Sequence, residues 1–229
     1  MPESARAELG ILADTLSAMT DLDMRERADL CDLFVQLGPD APTLCEGWTT
    51  RHLAAHLALR ERDLRAAPGI LIGGRFASYT DKLMAKEMQR SYESIVARVR
   101  TPPAGPLSIG PVRAAISFVE YLVHYEDVRR ANGMGPRTDR PDVQAEAWKM
   151  LSRMGGLMVR KAKTGRAIKL VAVGTTTGTK TFGKGPTVMI TGEPVEILLY
   201  LEGRRSGAVV TFDGAAEDVA AVQAGHFGI

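Results

Sequence analysis

The chain lacks cysteine almost entirely: Cys31 and Cys45 are the two among 229 residues. Two cysteines make no disulfide framework, and the default location is a reducing cytoplasm. An excess of one charge is also missing. Lys and Arg number 29 against 27 Asp and Glu, a formal net charge of +2. That gives no electrostatic footprint for nucleic acid. The short basic pairs Arg129-Arg130 and Arg204-Arg205 read as solvated helix ends. No apolar run has the length of a membrane span, and the N-terminus has no continuous apolar stretch of the signal-peptide kind. What is present is 45% hydrophobic residues, enough for a real core. The length fits one large domain or two small ones.

Breakers divide the chain. Residues 1–23 are Ala-rich and read as an N-terminal extension. From Met24 the apolar residues Leu30, Leu33, Phe34 and Leu37 recur at helical spacing until Gly38-Pro39. A second helix is expected from about Thr50 to Arg65, with Thr49 as N-cap. A third is expected over about Tyr79–Arg100, and a fourth over about Val112–Ala131, ending at Asn132-Gly133. Four amphipathic helices with short breakers fit a bundle over 24–138. A bridging helix is expected over 139–164. From 165 to 229 the pattern changes to short apolar runs with Gly-rich turns, the signature of a small α+β domain. Strands are expected over 168–173, 176–182, 187–191 and 208–212, with helices over 193–202 and 217–224.

The fourth helix should be wholly apolar and is not. Ala114–Tyr125 reads Ala-Ala-Ile-Ser-Phe-Val-Glu-Tyr-Leu-Val-His-Tyr. Glu120, His124 and Asp127 fall within an arc of about 60° at 100° per residue. Phe118, Val119, Leu122 and Val123 surround them, so a carboxylate and an imidazole are placed where unpaired charge is expensive. A divalent metal satisfies both. The second helix offers a further ligand. His52 and His56 lie four apart, as in an H-E-x-x-H zinc protease, but Leu53 stands where the general-base Glu belongs, so that reading fails. His52, in the first turn, reads as neutral or exposed. His56, among Leu53, Leu57 and Leu59, reads as the ligand. Cys45 reads as a small apolar side chain under its loop, with metal ligation the alternative.

One motif is a decoy. Gly178-Thr-Lys-Thr-Phe-Gly183-Lys184-Gly185 nearly spells a P-loop, but Gly185 replaces the magnesium-binding hydroxyl and a strand-like run follows where a helix is required. A polar hairpin turn is the expectation there.

Two segments carry a family resemblance: Thr-Leu-Cys-Glu-Gly-Trp-Thr-Thr-Arg-His-Leu-Ala-Ala-His-Leu (43–57) and Phe-Val-Glu-Tyr-Leu-Val-His-Tyr-Glu-Asp-Val-Arg-Arg (118–130). Together they resemble the mycothiol-dependent maleylpyruvate isomerase-like family, within the DinB-like superfamily of four-helix metalloproteins, and in particular an actinobacterial branch that keeps the metal motif. The resemblance spans about residues 24 to 229. It implies a DinB-like bundle followed by a sterol-carrier-like α+β domain. It places the metal ligands on His56, Glu120 and His124, and an acidic residue of the family on Asp127. Relatives carry Asp at the position of His52, which would complete a capping box with Thr49; the departure leaves His52 as an extra or alternative ligand.

The chemistry this implies is metal- and thiol-dependent. Two His and one Glu suit catalytic zinc with an open position, and nickel or ferrous iron fit the same donors. The resembled family uses a low-molecular-weight thiol as nucleophile, acting on a small electrophile as isomerase or transferase. Asp127 is the candidate for supporting His124 or handling a proton, against an ion pair with Arg130 or Arg113. Arg204 is a candidate anion clamp for a substrate carboxylate, against a helix-capping arginine. The opposing function class is a non-catalytic, metal-stabilised protein that binds a small apolar ligand. The expected partners are small molecules alone, without nucleic acid or membrane, and the expected state is a monomer or homodimer.

Overall fold

The computed structural model describes residues 21–62, 77–103 and 111–228. The turn-forming pairs Pro68-Gly69 and Gly73-Gly74, Pro106, the end of the second helix expected beyond 62 and the Ala-rich stretch 1–20 lie outside these. Among the described residues there are eight helices and one four-stranded sheet. The chain divides into two compact units, 1–134 and 135–229.

The first unit holds α1 (21–37), α2 (Thr50–Arg62), α3 (Ala77–Glu87), α4 (Tyr92–Arg100) and α5 (Pro111–Ala131). Its core draws Leu30 and Phe34 from α1, Leu53 and Leu57 from α2, Ile95 and Val99 from α4, and Tyr121 and Val128 from α5. Each such buried side chain stabilises by about 1.5–3 kcal/mol. One polar group ties the four helices at a single point. Arg27, fully buried, donates to the Val99 carbonyl at 2.8 Å, the Tyr121 hydroxyl at 2.6 Å and Glu61 at 2.7 Å. Its guanidinium also sits 4.1 Å over the Tyr121 ring. Helix α1 already runs at residue 21, with Leu22 and Asp23 buried. An extension boundary at 23 therefore falls inside a packed helix.

The third expected helix is two. It breaks over 88–91, and Ser91 restarts it as an N-cap whose hydroxyl accepts from the Ser94 N–H at 3.2 Å. The apolar spacing runs on through Met88 and Tyr92, so periodicity alone does not show the break.

The second unit holds α6 (Pro141–Ala162), β1 (Ala167–Ala172), β2 (Gly178–Phe182), β3 (Thr187–Gly192), α7 (Pro194–Leu201), β4 (Thr211–Asp213) and α8 (Ala216–Gln223). The helix expected as a bridge, α6, packs on α7 and β2 within this unit. Its Gln144 side chain accepts the Val195 N–H at 3.0 Å, capping α7 from across the gap. The sheet order is β2-β1-β3-β4. Strand β1 pairs antiparallel with β2 and parallel with β3, and β3 pairs antiparallel with β4. Ile168, Leu170, Val188 and Ile190 are fully buried, as alternation on one covered face requires. Strand β4 covers 211–213 rather than the expected 208–212.

The P-loop-like stretch is not a hairpin turn. Strand β2 turns back on β1, and 183–186 crosses the start of β1 to reach β3. A Cβ at Gly183 would stand 2.8 Å from the Arg166 carbonyl oxygen, and one at Gly185 2.9 Å from that of Gly165. Both have positive φ, 85° and 106°. The glycines permit this close crossing; they cradle no phosphate.

Candidate metal centre

Helices α2 and α5 carry the site. Thr49 accepts the first helical bond of α2, from the Leu53 N–H at 3.0 Å, which makes it the N-cap. Its own N–H donates to His52 Nδ1 at 3.3 Å, and the two side chains meet at 3.0 Å. His52 thus fills the reciprocal arm of a capping box that Asp or Glu usually fills. It joins no donor cluster among the described residues. One turn further, His56 lies against Trp48 with ring centroids 5.2 Å apart, and against His124 at 5.5 Å.

On α5 the expected arc holds. His124 is buried and Asp127 fully so; Glu120 is partly open, its side chain 18% exposed. The ligand atoms of His56, Glu120 and His124 all lie within 4.8 Å of one another. His124 Nε2 faces Glu120 Oε2 at 3.5 Å, and its Nδ1 meets Asp127 Oδ2 at 2.9 Å. One ring nitrogen therefore points to the donor set, while a carboxylate holds the other. That is the arrangement in which an outer carboxylate fixes a metal-ligating histidine. Arg130, one of the two arginines offered as Asp127's alternative partner, pairs with Glu126 at 2.8 Å. The side chain of Arg113 lies outside the described residues.

The charges support one another. Burial pushes the Glu120 carboxyl up, but the His124 hydrogen bond, then the charges of His124, Arg60 and His56, overcome this and hold it down to about 2. Burial pulls His124 down, but its contacts with Asp127, Cys45 and Glu120 lift it well above the usual imidazole value. Without a metal, these contacts favour the protonated ring between the carboxylates.

Two further participants are Arg60, which the sequence does not single out, and Cys45, which it offers as a small apolar side chain or a metal ligand. Arg60 reaches Glu120 Oε1 at 2.9 Å. Its position one turn beyond His56 on the same face was a usable signal. Cys45 donates to Asp127 Oδ2 at 3.3 Å and lies 4.0 Å from His124 Nδ1. No local pattern reveals a contact across 82 residues. Arg204 lies in the second unit and donates to the Glu202 carbonyl at 2.6 Å, the geometry of a helix-capping arginine.

A helical bundle with a His/carboxylate cluster, followed by an α+β unit, is the class that fold and site define. Residues 21–104 match the family model described as the mycothiol maleylpyruvate isomerase N-terminal domain, which bears out the resemblance over that N-terminal part of the chain, segment 43–57 included. Two solved structures share the architecture: the mycothiol-dependent maleylpyruvate isomerase and a histidine-to-alanine mutant of it. Each is 16% identical to this chain, covers 86% of it and 92% of its own length, and superposes with a TM-score of 0.58. At that identity the likeness concerns the fold. No match was found among curated proteins. No helix among the described residues is long and apolar enough to cross a membrane.

Proposed function

We propose that His56, Glu120 and His124 hold a divalent metal with one position open, and that the protein is a thiol-dependent isomerase or transferase acting on a small electrophile. One observation carries this reading: three donors from two helices converge within 4.8 Å, with the central imidazole oriented by a buried carboxylate. The donor chemistry fits zinc best, with nickel or ferrous iron compatible. When bound, the metal supplies a Lewis-acid position that keeps a thiol as thiolate near neutral pH. The matched family's name supports a thiol of the mycothiol type.

The chain's own residues do the rest. Asp127 fixes the His124 ring so that Nε2 faces the donor set, and it takes or returns the proton at Nδ1. Arg60 holds Glu120 Oε1, leaving Oε2 toward the imidazoles. The thiol adds to an electrophilic carbon and then leaves again in an isomerisation, or stays in a transfer. Arg204 is given no part in these steps.

The test is elemental analysis of protein purified without a metal-affinity tag, alongside His56→Ala, Glu120→Gln and His124→Ala. About one metal per chain is expected in the parent, none in His124→Ala, and weaker retention in His56→Ala and Glu120→Gln. Electrophile consumption should need both metal and thiol. Metal content that survives in folded His124→Ala contradicts the assignment. A metal indifferent to thiol, with stability rising on addition of small apolar ligands, would instead indicate a binding protein.

A further inference from the structure

His124 serves two donor sets, one on each ring nitrogen. The second comprises Cys45, His124 and Asp127, whose ligand atoms also lie within 4.8 Å of one another. Its edges are 3.3 Å from Cys45 Sγ to Asp127 Oδ2, 2.9 Å from Asp127 Oδ2 to His124 Nδ1, and 4.0 Å from Cys45 Sγ to His124 Nδ1. A tetrahedral ion with ordinary zinc–sulfur, zinc–nitrogen and zinc–oxygen bonds sets its donors roughly 3.3–3.6 Å apart. The three edges bracket that range.

The triangle is built into the fold. The loop bearing Cys45 is pinned to α5 at the same residue that supplies the carboxylate: the Leu44 N–H donates to the Asp127 carbonyl at 3.1 Å. The Thr43 hydroxyl accepts the Cys45 N–H at 3.2 Å and donates to the Trp48 carbonyl at 2.9 Å, so the loop has internal bracing. The Trp48 N–H closes a turn on the Cys45 carbonyl at 2.9 Å. Asp127 is fully buried, whereas Cys45 is half-buried.

We propose that Cys45 Sγ, His124 Nδ1 and Asp127 Oδ2 form a second metal site, selective for thiophilic dications such as zinc, cobalt and cadmium. A thiolate in the donor set gives that preference over the harder His/Glu set on the other nitrogen. The exchange is balanced. One dication replaces the Cys45 S–H proton and the His124 Nδ1–H proton, and both protons pass to solvent. No oxidant is needed. A neutral imidazole ligates through one ring nitrogen at a time, so this site is filled in place of the His56/Glu120/His124 set and the total stays at about one metal per chain.

Cadmium titration of the metal-free full chain, followed by thiolate-to-cadmium ultraviolet absorption, tests this. The band should appear in the parent and in His56→Ala, and vanish in Cys45→Ser. Cys31 is not a competing source, because it is fully buried and burial pushes its thiol up to about 12. The serine hydroxyl retains a donor for Asp127, and the variant's melting curve checks the fold. A parent that binds cadmium without the band, or a band that persists in Cys45→Ser, overturns the second site. A band lost in both Cys45→Ser and His56→Ala overturns it as well, by showing one mixed site. Cadmium bound without the band and released by His56→Ala would leave the first set standing alone.

Discussion

His124 Nδ1 lies 2.9 Å from Asp127 Oδ2, three residues further along the same helix. This contact decides which ring nitrogen faces Glu120 and His56. Asp127, which the sequence offers either as support for His124 or for an ion pair, is buried and lies against the central imidazole. Asp127→Asn keeps the shape and removes the charge. Metal affinity should fall by roughly 10–100-fold. Competition with a chelator of known affinity reads this, and an unchanged affinity would mean that Asp127 does not orient the ring.

Removing the imidazole itself is more severe. His124→Ala leaves the carboxylates of Glu120 and Asp127 without their shared cation, a loss expected to cost about 3–5 kcal/mol in the metal-free protein. Urea unfolding measures it. A cost below about 1 kcal/mol would show that the charges relax into solvent.

The pH dependence follows from two shifts of opposite sign. Glu120 falls from an ordinary 4.5 to about 2, so its stabilising contribution is present above 4.5 and is lost as pH falls toward 2. His124 rises from an ordinary 6.5, so its contribution is full below 6.5 and is lost as pH climbs through the raised folded-state value. The metal-free protein should therefore weaken on both sides of a plateau. Metal binding displaces a proton from His124, so affinity should rise with pH. Unfolding curves with and without chelator across the pH range check both arms. An alkaline arm equally steep in the metal-loaded protein would argue against His124 as a ligand.

His52 belongs to the helix cap. His52→Ala should leave metal content unchanged and cost about 1 kcal/mol. His52→Asp should restore most of that loss, because a carboxylate serves the same box and suits the helix N-terminus. Elemental analysis and thermal melting separate the two roles. Metal loss in His52→Ala would make it a ligand.

The sequence made the helices and strands legible where polarity alternates against a covered face, as at Leu30, Phe34, Leu53 and Leu57, or at Ile168, Leu170, Val188 and Ile190. The Glu120/His124 pair stood out because ionisable groups interrupted an apolar helix. Other features depend on distant chain segments. The Met88–Ser91 break hides because the apolar spacing continues on both sides, although Ser91 before Glu93 is a cap signal. The glycines at 183 and 185 spell a nucleotide motif yet answer to a backbone crossing at Gly165 and Arg166. The Arg27–Glu61–Tyr121 network and the Cys45–Asp127 contact join residues far apart in sequence, and neither has a local signature.

The central claim is an open metal position that takes a thiol, and cobalt substitution tests it most directly. Cobalt accepts the same tetrahedral donors and reports thiolate ligation as charge-transfer absorption. The experiment uses cobalt-loaded Cys45→Ser protein, so that the chain's own thiol contributes nothing. A cysteine-derived thiol of the mycothiol type is titrated at neutral to mildly alkaline pH. The account predicts a charge-transfer band that saturates with thiol, strengthens as pH rises toward the thiol's pKa, and is lost when His56 is replaced by Ala. A flat spectrum across the titration, with cobalt still bound, would contradict it.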